Sequence, residues 1–269
     1  MYIRREYFAG DHVLIKNHSA KVFGIPFKQR VKRMRETPEA MKKYNNAKRA
    51  EKLQLLIMLN FDQGFHITLD YPKEDRPQTY EEAEDNLKKC LYKTARRLKH
   101  QGKEFKYIAV TERGKKAAAL HHHVIIEGKS DILEELMHNW GSHMKISTMY
   151  QEGLYKDLAE YLVKIETKEE LAKGKSKYHR SRNLKKPVEK TIIMRGPIKD
   201  NPLIPKGFKL VENSLVNGFN EVIGVKHQKY MIERCPEPKK VPKSVPKGDA
   251  KRNKKGSIWE SIKKLFRRR

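Results

Sequence analysis

Thiols are nearly missing from this chain. Cys90 and Cys235 are its only cysteines, too few for a disulfide framework or a cysteine zinc site, and both are expected to be free. No apolar run approaches the roughly 18 residues of a membrane span. The opening "MYIRREYFAG" lacks the apolar stretch of a secretion signal, so a soluble, intracellular protein is expected. A phosphate loop of the form G-x-x-x-x-G-K-[ST] is missing as well, because "EGKS" and "KGKS" have no glycine at the required upstream distance. That excludes a fused ATP-driven motor. Acid is scarce: 33 Asp and Glu stand against 60 Lys and Arg, a net charge of +27. The excess is far beyond what solubility needs and calls for a polyanionic partner, nucleic acid ahead of an anionic membrane.

The 269 residues, 38% of them hydrophobic, are enough for one ordinary domain with extensions or for two small ones. Residues 1–36 read as basic and irregular. A helix is expected from Pro38 through the apolar "LQLLIML" run, with Thr37 as its N-cap. "GFHITLD" (64–70) alternates as a strand does. "TYEEAEDNLKKCLYKTARRLKHQG" (79–102) is acidic at its start, basic at its end and followed by Gly102, which predicts a long helix. Strands follow at 105–112 and 120–127. A helix is expected at 131–140 with Ser130 as N-cap, a strand at 143–149, and a third helix at about 153–171. The order strand, helix, strand, strand, helix, strand predicts an α+β fold. It is the split βαβ (ferredoxin-like or RRM-like) arrangement, an antiparallel sheet with helices on one face and the other face open.

The chemistry concentrates in "LHHHVIIEG" (120–128). An expression tag is excluded, since the run lies mid-chain and leads into a β-branched stretch. Alternation puts His121 and His123 on one face of the strand and His122 on the other. A hairpin joining 105–112 to 120–127 brings the Glu112 carboxylate beside the pair. Two imidazoles and a carboxylate leave coordination positions open for water and a phosphate oxygen. Such mixed ligands suit Mg²⁺ or Mn²⁺, and the ligand types alone also admit zinc.

A metal site of this kind needs a nucleophile. "YLVK" (161–164) places Tyr161 and Lys164 three apart, neighbours on one helical surface. Tyr155 is a rival, but six residues from Tyr161 amount to about 600°, so the two do not share a face. Tyr150, at the end of a strand, is a further alternative.

Taken in order, "FHITLDY" (65–71), "HHHVIIEG" (121–128) and "YLVK" (161–164) resemble the motifs of the HUH endonucleases. Within them the chain is similar to the rolling-circle replication initiators of the filamentous-phage gene II-like group and their relatives on bacterial mobile elements. "NF" at 60–61 and "SRNLKKP" at 181–187 look similar to that group too, for a coverage of roughly 40–195. Two positions depart from its pattern: His122 occupies the central hydrophobic place, and Asp70 stands where relatives often carry threonine. The resemblance implies the HUH fold, metal at the histidine pair, and a tyrosine that becomes covalently joined to DNA. Tyr161 is then the nucleophile and Lys164 supplies charge beside it. The implied function is to nick and rejoin origin DNA in the cytoplasm of a bacterial host, with single-stranded or origin DNA as partner and a separate helicase for unwinding. A relaxase or transposase of the same chemistry is the enzymatic alternative. A non-catalytic nucleic-acid-binding protein is the other.

The expected layout is a basic segment and helix at 1–59, the endonuclease domain at 60–187, a C-terminal extension of it at 188–235, and a basic tail at 236–269. "KTIIMRG" and "KHQKYMIE" are the expected strands of the extension. The proline-interrupted tail predicts disorder with salt-sensitive phosphate contacts. Its last segment places Ile258, Ile262, Leu265 and Phe266 on one side of a helix, read as a protein or DNA contact ahead of a lipid one.

Overall fold

The computed structural model describes residues 1–19, 38–61, 63–114, 119–141, 143–149, 152–165, 178–220 and 225–235. The expectations for Thr37, Tyr150, the end of the third helix beyond residue 165 and the tail with its terminal helix fall outside these residues. In chain order the elements are β1 (Tyr2–Ala9), β2 (His12–Ser19), α1 (Pro38–Asn60), β3 (Phe65–Leu69), α2 (Tyr80–His100), β4 (Tyr107–Arg113) and β5 (Leu120–Ile126). They continue with α3 (Ser130–Trp140), β6 (Met144–Thr148), α4 (Lys156–Ile165), β7 (His179–Arg180), β8 (Val188–Met194), β9 (Phe208–Leu210), β10 (Val216–Asn220) and β11 (Val225–Arg234). A 3-10 turn at Glu152–Tyr155 leads into α4. The chain divides into two compact units, one from Met1–Leu59, Leu154–Val163 and Lys185–Glu237, the other containing Asn60–Gly153 and Lys164–Leu184.

The second of these holds the expected fold. Its sheet runs β6-β3-β5-β4-β7, antiparallel throughout, and the first four strands are in the split βαβ order. β3 alternates buried and half-buried residues, as a strand with two different faces must. α2 begins at Thr79, whose hydroxyl accepts from the Glu82 amide at 3.2 Å while Glu82 in turn accepts from the Gln78 amide at 2.9 Å. α2 and α3 cover one face of the sheet. Phe65, Ile67, Leu69, Ala109, Val124 and Ile126 meet Leu87, Leu91, Ile132, Leu133 and Leu136 there in one buried cluster. Each such large apolar side chain contributes about 1.5–3 kcal/mol through burial. Gly64 is forced by space: a Cβ there would stand 2.5 Å from the Ile126 carbonyl oxygen.

Several expectations differ in detail. α3 starts at Ser130 itself, with Lys129 in the cap position and no side-chain cap bond, so Ser130 is not the N-cap. β7 is two residues long, too short to leave a periodic signal.

The larger differences lie in the other unit. Residues 2–19, expected to be irregular, form the β1–β2 hairpin, paired from Tyr2–Ser19 to Ala9–His12. Residues 188–235, expected to extend the endonuclease sheet, supply β8 to β11 to a different one. That six-stranded antiparallel sheet runs β10-β11-β2-β1-β8, with β9 also on β11. β8 and β11 were legible as "KTIIMRG" and "KHQKYMIE", but their partners in β1 and β2 lie more than 160 residues away. Leu55 of α1 joins Ala9, Leu14 and Met231 in one small core, while Val13, Ile15, Tyr230 and Ile232 form another. No described helix is long and apolar enough to cross a membrane.

Candidate metal centre

The β4–β5 register sets Glu112 directly opposite His121, Thr111 opposite His122, and Val110 opposite His123. Residues directly opposite one another in an antiparallel pair share a face. Glu112, His121 and His123 are therefore on one side, and His122 is on the side covered by helices, as alternation predicts. Glu112 Oε2 lies 3.2 Å from His123 Nε2 and 3.6 Å from His121 Nε2. One ligand atom from each of the three falls within 4.8 Å of the others. Ligands about 2.1 Å from a shared ion at angles of 90–110° stand about 3.0–3.4 Å apart. The triad is thus already close to the spacing that one small divalent ion would need.

This side of the sheet, expected to be open, is not bare. Glu112 and His123 are buried, as are their sheet neighbours Ile108, Val110 and Ile125. Burial first, then the charges that His66 and His121 would carry, pushes the His123 imidazole below its ordinary value. It is neutral at neutral pH and keeps a lone pair for a metal. A buried carboxylate facing a neutral imidazole supplies the negative charge that favours a cation in the same place.

β3 adds two residues that sequence reasoning left without a role. Thr68 pairs across from His123 and His66 across from Ile125, so both point to the triad's side. His66 Nε2 lies 3.1 Å from His123 Nδ1, with the rings stacked at 5.2 Å, and Thr68 Oγ1 is 3.4 Å from the same nitrogen. Burial holds His66 below its usual value too, so its Nε2 can accept a proton from His123 Nδ1. That leaves His123 Nε2 unprotonated toward Glu112. An acceptor behind a ligating histidine selects the ligating nitrogen in this way. The signal was the alternation of "FHITL", but only the pairing of strands 55 residues apart shows what His66 and Thr68 face.

His122, fully buried on the far side, is hydrogen-bonded at both nitrogens. Tyr71 Oη lies 2.7 Å from Nε2 and Thr111 Oγ1 2.9 Å from Nδ1. The Thr111 hydroxyl donates to Glu84 Oε1 at 3.2 Å, and Glu84 Oε2 meets His179 Nε2 at 2.6 Å. Since a carboxylate only accepts, Thr111 must receive its proton from His122 Nδ1, and Nε2 then accepts from Tyr71. The chain of bonds closes with His122 neutral, and burial drives its pKa down to about 3. Burial works against Glu84 ionising, but the bond and charge of His179 outweigh it and hold that carboxyl below its usual value. Trp140 packs edge-on against both His122 and Tyr71.

α4 carries the tyrosines. Ala159, Leu162 and Val163 are its buried side. Tyr161, 42% exposed, and the exposed Lys164 lie on the opposite side, adjacent at i and i+3. Tyr155 is 6% exposed. Of the two described candidates, Tyr161 is the one whose hydroxyl a large substrate can reach. By compactness Tyr161 groups with the six-stranded unit, Lys164 and the triad with the other.

Residues 64–170 match the family model for the replication-associated protein ORF2/gene II protein. No curated protein and no solved structure matches the chain.

Proposed function

We propose, from the membership of residues 64–170 in the replication-associated protein ORF2/gene II protein family, that this protein initiates rolling-circle replication by nicking and rejoining DNA through a tyrosine. Family membership supports a replication initiator role and DNA binding. The observation that carries the chemistry is the convergence of Glu112, His121 and His123 inside the matched segment. A divalent ion held there, Mg²⁺ or Mn²⁺, would neutralise charge on a scissile phosphate.

The remaining work falls to side chains of the chain. In the proposed step Tyr161 Oη forms a bond to phosphorus as the P–O3′ bond breaks. The phenolic proton is lost to solvent, and the departing 3′ oxygen takes one up as a hydroxyl. A 5′-phosphotyrosine and a free 3′-hydroxyl result. Because one phosphoester replaces another, the link can later be attacked by a 3′-hydroxyl and the strand rejoined. A tyrosine of ordinary pKa, about 10, is protonated at neutral pH. Lys164, one turn along the same exposed side, lowers the cost of the phenolate by placing positive charge near it. His66 and Thr68 hold His123 with Nε2 toward Glu112. Unwinding falls to a separate helicase, since this chain has no phosphate loop.

A relaxase or transposase would use the same residues. A non-catalytic binding module on this fold would instead place aromatic rings on the sheet face to stack bases, where this chain has imidazoles and a carboxylate.

The test is incubation of the full chain with a labelled pool of random single strands and Mn²⁺, followed by denaturing electrophoresis. A covalent adduct is expected for the wild type and none for Tyr161→Phe, which removes one oxygen and leaves folding and DNA binding nearly unchanged. Peptide mapping by mass spectrometry identifies the linked residue. An adduct on Tyr155 or Tyr150 would move the nucleophile, and no adduct with any divalent metal would leave only the binding reading.

A further inference from the structure

The solvent side of α2 is cationic in a way that its own stability does not explain. Between Asp85 and Glu104 there is no acid, while Lys88, Lys89, Lys93, Arg96, Arg97, Lys99 and Lys103 intervene. At 100° per residue, Lys88, Lys89, Tyr92, Arg96 and Lys99 fall in one narrow stripe along the helix. All five are exposed. Tyr92, at the centre of the stripe, is 69% exposed.

Three ordinary explanations cover only part of this. The helix dipole favours cations in the last turn, which accounts for Arg97, Lys99 and His100 but not for Lys88, Lys89 and Lys93. Bridging to neighbours accounts for Arg97, paired with Glu135 at 3.1 Å, for Lys103, paired with Asp131 at 2.7 Å, and for Lys88, 3.3 Å from Asp85. Among the described residues Lys89, Arg96 and Lys99 form no ion pair of this kind. A merely solvated helix face mixes signs, because like charges at i and i+4 repel. Here Lys89 and Lys93, and again Lys93 and Arg97, stand four apart with the same sign.

We propose that this stripe of α2 is a binding surface for the phosphate backbone of duplex DNA. It rests on the DNA-processing reading above. From Lys88 to Lys99 it extends about 16 Å at 1.5 Å per residue. A duplex presents one charge per roughly 1.7 Å of its axis, so the stripe meets several phosphates at once. Tyr92 places a phenolic hydroxyl among the cations, a further phosphate donor of a type common in such contacts. The buried edge of α2, with Leu87, Leu91 and Leu98, packs on the sheet face that carries His122. The stripe is thus on the side of its unit away from His121 and His123. Duplex held there adds affinity without occupying the metal centre.

The test uses the full chain and a fluorescein-labelled 30-base-pair duplex, with anisotropy measured across a salt series. Lys89→Gln, Arg96→Gln and Lys99→Gln together should make the slope of log K against log salt shallower by about 2.7, at about 0.9 per phosphate contact. Arg96→Gln alone should remove about 0.9, and serves if the triple variant does not fold. Adduct formation on short single strands should persist in both. An affinity that falls with the slope unchanged reflects net charge alone and overturns the surface. A slope change seen with a single strand and not with the duplex overturns it too. A wild type that binds no DNA overturns the DNA-processing reading together with it.

Discussion

Replacing His122 by leucine restores the hydrophobic residue that the resemblance places between the two metal histidines, and by pattern alone the change should be harmless. The structure predicts otherwise. His122 is fully buried, with Tyr71 Oη at 2.7 Å and Thr111 Oγ1 at 2.9 Å. Leucine leaves the Tyr71 hydroxyl without its short acceptor, at about 1–3 kcal/mol, and removes the Thr111 bond, at about 1 kcal/mol. Thr111 itself keeps its bond to Glu84 at 3.2 Å, so it is not left unsatisfied. The edge contact with Trp140 is lost as well, and burial of the new side chain offsets part of the total. A net loss of about 2 kcal/mol is expected. With a urea slope of roughly 2 kcal/mol per molar, the midpoint falls by about 1 M. Trp140 touches both His122 and Tyr71, so its fluorescence reports the transition directly. Tyr71→Phe should cost less, and the double variant should cost less than the two singles together by about 0.5–1 kcal/mol, because both remove the same bond. Mn²⁺ stoichiometry should stay unchanged, since His122 points away from the triad. An unchanged midpoint, or strict additivity of Tyr71→Phe and His122→Leu, would refute the network.

Glu112→Ala should abolish Mn²⁺ binding in isothermal titration calorimetry, whereas His66→Leu should weaken it by roughly 10–100-fold through the misoriented His123; wild-type affinity in Glu112→Ala would dismiss the triad. The pH dependence of stability follows from the buried imidazoles. His66 and His122 are held below their ordinary value, His122 at about 3, so below pH of about 6.5 the unfolded chain binds protons that the folded chain refuses. Their contribution is complete above that pH and is lost as pH falls toward the folded values. The metal-free urea midpoint should therefore be lower at pH 5 than at pH 7, and a higher one contradicts the burial argument. Deleting 236–269, with its 13 Lys and Arg against 3 Asp and Glu, should leave cleavage of short single strands intact while making the salt dependence of duplex binding shallower. An unchanged salt slope would show that the tail does not touch DNA.

Sequence by itself determined what repeats at short range. The period of 2 in "FHITL" and the caps and charge gradient of residues 79–102 specify their elements locally, so β3 and α2 were legible, as was the split βαβ order. Alternation likewise settled that His121 and His123 share a face and that His122 does not. Strand-to-strand register, the pairing of β1 and β2 with β8 and β11, and the neighbours of each histidine depend on contacts far apart in sequence. Tertiary structure alone decided those. Opposite sheet faces give the three adjacent imidazoles different partners: His66, Thr68 and Glu112 around His123, Tyr71 and Thr111 around His122. Residues 2–19 show the same division, since their alternation is weak and basic and becomes a sheet only when strands from the other end of the chain take up their backbone hydrogen bonds.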